Sequence, residues 1–171
     1  MTASRVIVAL DYPSMEEAVD FVDKIAPAQC KLKVGAELFT VGGPPVIATF
    51  VERGFDVFLD LKFHDIPTTV AKACSAAADL GVWMLDVHTL GGRHMLDAAC
   101  EAVSAANHRP LLVGVTLLTS HSKEVMGQVG LHGELAERVD ALATLAHDVG
   151  LDGVVCSPWE AAGLRDHFGQ G

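Results

Sequence analysis

The stretch richest in reactive side chains is Asp60-Leu61-Lys62-Phe63-His64-Asp65-Ile66-Pro67-Thr68-Thr69. On a strand, side chains two apart share a face, so Asp60 and Lys62 point one way while Leu59 and Leu61 turn into apolar packing on the other. A lysine between two acids at the end of an apolar strand is costly unless each charge is paired, and such clusters favour sites where charge is used. Each residue also has a structural use: Asp65 suits the start of a helix opened by Pro67, and an Asp–Lys pair can be a plain ion pair.

A second strand-like run repeats the pattern, with Lys31 and Lys33 on one face between Leu32 and Val34. One of these lysines snorkels to solvent. Lys33, nearer the carboxyl end, is placed to reach Asp60 on a neighbouring strand and build an alternating Lys-Asp-Lys-Asp array. Asp11, at the end of a first apolar run, stands beside it, although an acid ahead of Pro13 is also an ordinary turn residue.

These residues must be positioned by strands, and the chain reads as a regular alternation. Arg5–Leu10 is a β-branched run short enough for a strand buried on both faces. A helix follows, with Ser14 and Glu17 as a capping box and Met15, Ala18, Val22 and Ile25 as its apolar stripe. The same unit recurs with strands at Lys31–Val34, Phe55–Lys62, Met84–Val87, Leu111–Thr116 and Gly153–Cys156. Helices are predicted over Pro45–Arg53, from Pro67 to about Leu80, from Gly92 to about Ala106, from Glu134 to Gly150, and after Ser157-Pro158. The segment after Thr116 is less regular.

Six β/α units in order imply an α/β protein with a parallel sheet and right-handed crossovers, either doubly wound or a (β/α) TIM-type barrel. Polar residues at the carboxyl ends of successive strands (Asp11, Lys33, Asp60 with Lys62, His88, Thr116) favour the barrel, which assembles its site from many strands. No dinucleotide or P-loop glycine motif competes with that reading. Residues 1–171 form a single domain.

With 12 Lys plus Arg against 22 Asp plus Glu, the net charge of -10 repels nucleic acid and anionic membrane. An anionic substrate therefore needs local basic residues. No apolar run reaches the roughly 18 residues of a membrane span, and the amino terminus lacks a signal-peptide core, so a cytoplasmic protein is expected. Cys30, Cys74, Cys100 and Cys156 stand apart in apolar stretches and are expected as small buried hydrophobes, neither disulfide partners nor zinc ligands.

Val-Ala-Leu-Asp at 8–11, Lys-Leu-Lys-Val-Gly at 31–35, the 60–69 motif, Val87-His88 and Val-Thr-Leu-Leu-Thr-Ser at 115–120 closely resemble the orotidine 5'-phosphate decarboxylases, in the family's order and over essentially the whole chain. The resemblance implies a homodimeric (β/α) barrel that converts orotidine 5'-monophosphate to uridine 5'-monophosphate in pyrimidine biosynthesis, with no metal or organic cofactor. The lysine matching Lys62 stabilises and protonates the carbanion left by carbon dioxide, and the acid matching Asp60 faces the substrate carboxylate and holds the lysines. By the same resemblance Lys33 orients Asp60 and contacts the ribose, and Asp11 binds a ribose hydroxyl. Asp65, Ile66 and Thr69 reach into the partner's site, and Thr119 and Ser120 contact the pyrimidine; the last two could also be turn caps. His88 has a counterpart in the family, though a lone strand-end histidine is more often structural. The other seven histidines read as surface residues.

The sequence departs from the family at its carboxyl end. It holds six of the barrel's eight units and lacks the family's Pro-Gly-Ile-Arg type loop, glutamine and Gly-Arg pair that grip phosphate. A barrel truncated at the carboxyl terminus is expected, with poor turnover by this chain alone. Two other readings are a magnesium-dependent phosphosugar decarboxylase or aldolase of the same superfamily, against which the Ile-Pro-Thr-Thr continuation speaks, and an inactive partial barrel.

Overall fold

Helices and strands alternate from end to end of the computed structural model, which describes residues 4–169. The strands are β1 (Ile7–Ala9), β2 (Lys31–Gly35), β3 (Val57–Phe63), β4 (Met84–His88), β5 (Leu111–Val115) and β6 (Gly153–Val155). The helices are α1 (Met15–Val22), α2 (Ala36–Gly42), α3 (Pro44–Glu52), α4 (Pro67–Asp79), α5 (Arg93–Ser104), α6 (Lys123–Gln128), α7 (Leu135–Asp148) and α8 (Pro158–Phe168). A single 3-10 turn, Thr89–Gly91, joins β4 to α5.

All strand pairs are parallel, and their spatial order β1-β2-β3-β4-β5-β6 repeats the order along the chain. A doubly wound sheet reverses its order at the crevice where ligand binds. No reversal occurs here, so right-handed crossovers carry the helices to one face and leave the other looking inward, as in a barrel wall.

Strand parity sorts the residues between those two faces. Outward positions Leu32, Val34, Val57, Leu59, Leu85, Val87 and Leu112 are buried with Val46, Ile47 and Phe50 of α3, Val70 and Cys74 of α4, and Leu96 and Ala99 of α5. The inward positions Phe58, Met84 and Val113 form a separate apolar layer with Trp83 and Leu111. The inward set continues toward the carboxyl ends of the strands with Lys33, Asp60 and Asp86, so the apolar layer is the floor on which the polar residues stand.

Most predicted elements are present with ends shifted by one to three residues. Two short helices were not predicted. Helix α2 buries only Leu38, too little to give a stripe, and α6 lies in the irregular segment, where the Ser122 hydroxyl accepts the Val125 N–H at 3.3 Å. At α1 the Ser14 hydroxyl accepts the Glu17 N–H at 3.2 Å, but the Glu17 carboxylate takes the Ser14 hydroxyl instead of its backbone N–H, so the reciprocal half of the predicted box is absent. The full box forms at α8, between Ser157 and Glu160.

Gly114 on β5 is hemmed in by the 3-10 turn after β4, by α7 and by Leu151 just beyond it. A Cβ built there would sit 2.6 Å from Thr89 Cγ2, 3.0 Å from Leu151 Cδ2 and 3.3 Å from Ala146 Cβ. Gly114→Ala is therefore expected to destabilise the fold by about 1–3 kcal/mol through overpacking. The check is urea unfolding, with a lowered midpoint and an unchanged slope.

Candidate active site

Three strand ends supply the polar centre. Lys33 leaves β2 and Asp60 leaves β3, and the register pairs Asp60 with Gly35, two residues beyond Lys33. The long lysine side chain spans that offset, and its Nζ lies 3.0 Å from Asp60 Oδ2 and 3.8 Å from Asp11 Oδ1. Lys62 Nζ pairs with the other oxygen of Asp60, Oδ1. One carboxylate, 12% exposed, thus holds an ammonium on each oxygen, so that Lys33, Asp60 and Lys62 of the expected Lys-Asp-Lys-Asp array meet within one chain, with Asp11 beside Lys33. Lys31 does not run out to solvent as expected: its side chain, 15% exposed, pairs with Asp56 and lies 4.2 Å from the centroid of the Trp83 ring, which covers it.

Lys62 arrives by a route the alternation rule did not foresee. The β3–β4 pairing runs Leu59 to Leu85 and then Phe63 to Val87, so β3 spends four residues where β4 spends two. Inside this bulge Lys62 adopts φ +51°, the one positive φ of a non-glycine residue among those described. A bulge re-aims a side chain and leaves its own backbone outside the ladder. The freed Lys62 N–H is taken by Asp86 Oδ1 at 2.8 Å.

Asp86 went unnoticed in the sequence. It sits mid-strand in Met84-Leu85-Asp86-Val87-His88 and is 1% exposed. A lone acid inside an apolar strand, two residues before a strand-end histidine, was the available signal. Burial raises its carboxyl, and the facing carboxyl of Asp60 raises it further, to about 7. Asp60 moves the other way. Burial pushes it up, but hydrogen bonds from Lys62, Asp86 and Lys33 outweigh that and hold it below the ordinary carboxylate value.

The remaining predicted residues lie around this centre. Asp65 and Ile66 follow β3 and Thr69 lies in the first turn of α4; all three are exposed, Ile66 by 65%, and the Asp65 carboxylate accepts the Ile66 N–H at 2.6 Å. Asp65 is thus not drawn into its own chain's array of ion pairs. Thr119 and Ser120 are exposed in the loop after β5. His88 ends β4, with its ring centroid 5.5 Å from that of His64. Burial, then His64, Lys62 and His121, push its imidazole below the usual value. That corrects the surface reading of His121, which is half-buried beside His88 with its Nδ1 enclosed. The physical reason is the turn closed by its N–H on the Leu118 carbonyl at 2.8 Å, which folds the loop back over the strand ends. Among the described residues, no three His, Cys, Asp or Glu side chains converge as a metal-ligand set.

Fold and site together define a (β/α)-barrel protein with a lysine–carboxylate array at the carboxyl ends of its strands. A family model described as "Orotidine 5'-phosphate decarboxylase / HUMPS family" matches residues 4–171. The orotidine 5'-phosphate decarboxylase of Hydrogenovibrio crunogenus is 55% identical over 166 residues, covering 97% of this chain and 70% of that relative. That of Laribacter hongkongensis is 56% identical, covering 97% and 68%. The crystal structure of orotidine 5'-phosphate decarboxylase from Lactobacillus acidophilus superposes with a TM-score of 0.91 at 40% identity, over 96% of this chain and 76% of that one. The chain belongs to the orotidine 5'-phosphate decarboxylase / HUMPS family and spans about 70% of the length of these relatives.

The two buried acids make opposite contributions to stability with pH. Asp60, with its folded value depressed, stabilises the fold above the ordinary carboxylate pKa of about 4 and loses that contribution as pH falls through the folded value. Asp86, with its folded value raised, contributes stability that is complete below about 4 and is lost as pH climbs through about 7. In thermal unfolding against pH, Asp60→Asn is expected to flatten the acid limb, whereas Asp86→Asn removes the loss between those two values.

Proposed function

We propose that this site decarboxylates orotidine 5'-monophosphate to uridine 5'-monophosphate, the closing step of uridine nucleotide synthesis, without a metal or organic cofactor. The observation that carries the reading is the Lys33–Asp60–Lys62 chain of ion pairs, built on the motif that the resemblance assigns to this reaction.

The reaction breaks the bond between C6 of the pyrimidine and its carboxylate. Carbon dioxide departs, and the electron pair stays on C6. The ammonium of Lys62 beside that carbon offsets the growing charge and then transfers a proton to it, forming the C6–H bond and leaving a neutral amine that solvent reprotonates. Asp60 holds Lys62 in place and faces the substrate carboxylate. Lys33 fixes Asp60 and, with Asp11, takes the ribose hydroxyls. Thr119 and Ser120 contact the ring. The exposure of Asp65, Ile66 and Thr69 supports a homodimer in which these residues enter the partner's site, and the synthesis of a soluble nucleotide supports a cytoplasmic location. No described helix is long and apolar enough to cross a membrane.

The decisive assay follows loss of orotidine 5'-monophosphate and release of carbon dioxide. Lys62→Ala is expected to lower kcat by at least about 10⁴-fold, the joint loss of proton donor and electrostatic stabiliser. Turnover by Lys62→Ala within tenfold of the parent would overturn the assignment.

The shared site has its own test. Lys62→Ala and Asp65→Asn chains, each inactive alone, are expected to regain about a quarter of the activity when mixed, because half the protomers then pair unlike and each such pair holds one intact site. Mixtures that stay inactive would place Asp65 in its own chain's site.

A further inference from the structure

We infer that Asp86 is a positioning residue that locks Lys62 by its backbone, and that it does so as a neutral carboxyl donating its proton toward Asp60. The inference deepens the proposed decarboxylation and rests on it for its kinetic readout only.

Lys62 is the residue that must meet the reacting carbon, yet its backbone stands outside the ladder in the left-handed region, which costs a side-chain-bearing residue on the order of 1–3 kcal/mol. Such a conformation persists only where its surroundings hold it. Within the bulge the N–H of Lys62 has no carbonyl partner on β4, and a buried N–H without an acceptor is disfavoured. Asp86 Oδ1 supplies the acceptor at 2.8 Å from a strand position with 1% exposure. The anchor is rigid because Asp86 lies in mid-ladder, with Val113 of β5 as its register partner.

The second oxygen fixes the protonation state. Asp86 Oδ2 is enclosed and receives no donor from any described residue. Asp60 faces the Asp86 carboxyl; each of its oxygens takes one ammonium and keeps a second lone pair, but as an ion it has no proton to give. Two ionised carboxyls in this arrangement would be acceptors without a donor between them. One proton on Asp86 converts the clash into a hydrogen bond and leaves Asp60 as the ion the lysines need. The groups around Asp86 divide: burial and the Asp60 carboxyl favour the neutral acid, the Lys62 N–H and ammonium oppose it, and the first pair prevails.

Asparagine at 86 keeps the carbonyl acceptor for Lys62 and gives Asp60 an N–H donor, whereas valine keeps the volume and removes both. Asp86→Asn is therefore expected to retain kcat within about threefold, and Asp86→Val to lose about 10²-fold in kcat with KM little changed, the cost of a misplaced reacting group. The Lys62 amide is read in the same samples by hydrogen exchange: protected in the parent and Asp86→Asn, unprotected in Asp86→Val. A protonated-carboxyl C=O stretch is expected in the parent's infrared spectrum below about pH 7 and is missing in Asp86→Asn. Full kcat and a protected amide in Asp86→Val overturn the lock. An Asp86→Asn chain that is folded but as impaired as Asp86→Val, or a parent without the carboxyl band, overturns the neutral carboxyl. A parent that fails to decarboxylate yet shows the amide and infrared pattern refutes the proposed reaction and leaves the lock standing. If Asp86→Val does not fold, Asp86→Ala, which also lacks both acceptor and donor, supplies the same comparison.

Discussion

The mouth of the barrel depends on one carboxylate serving two ammonium groups. Asp60 is taken out of water by the apolar floor beneath it, a loss that by itself would favour the neutral acid. Lys33 and Lys62, one on each oxygen, reverse that preference. The arrangement hinges on the acid: without Asp60, Lys33 keeps only Asp11 at 3.8 Å and Lys62 loses its ion pair, whereas losing either lysine leaves one Asp60 oxygen without its ammonium. The fold serves it directly: parallel pairing of β2 and β3 puts Lys33 and Asp60 on one face at a spacing a lysine can bridge, and the outward residues of the same strands hold the register by packing under the helices.

Lys62 is fixed by a different device. A regular β3 would carry residue 62 onward within the ladder, but the bulge after Leu59 turns the backbone out of it. That turn costs backbone strain and frees an N–H, and both liabilities converge on Asp86. Strain of this kind survives where neighbouring structure over-determines it, which is why the acid that answers it is buried, mid-strand and immobile. The site thus couples a side-chain constraint at Asp60 with a backbone constraint at Lys62, through two facing acids, one held below and the other pushed above the ordinary carboxylate value.

The fold was legible in the sequence because a parallel barrel repeats one simple unit. Apolar runs bounded by Gly81 and Gly150, and Pro67 at a helix start, mark elements by local rules, and the structure places them there. Helix α2 escaped because a helix with one buried residue leaves no periodic trace. The ion-pair array was legible in part for the same reason as the strands: period two puts Lys33 and Asp60 on inward faces, whereas Lys62 joins them through a bulge that spacing does not reveal. Asp86 and His121 were not legible. Nothing local distinguishes a buried acid that satisfies a bulge on the neighbouring strand from an incidental one, and a loop histidine reveals its neighbours only when the loop folds back. Both depend on contacts across strands that sequence spacing does not encode.

Net charge gives these acids a further meaning. A chain carrying -10 repels a nucleotide bearing carboxylate and phosphate at long range, so attraction must come from within about a Debye length of the mouth. There, within one protomer, two ammonium groups stand against the carboxylates of Asp11 and Asp60, and that protomer's own balance is neutral only while Asp86 keeps its proton. An ionised Asp86 would tip the cluster negative at the point where the substrate carboxylate has to arrive. The buried acid that holds Lys62 by its backbone therefore also keeps the local field compatible with an anionic guest, and the low dielectric that protects its proton is supplied by the packing of β4 between its neighbouring strands.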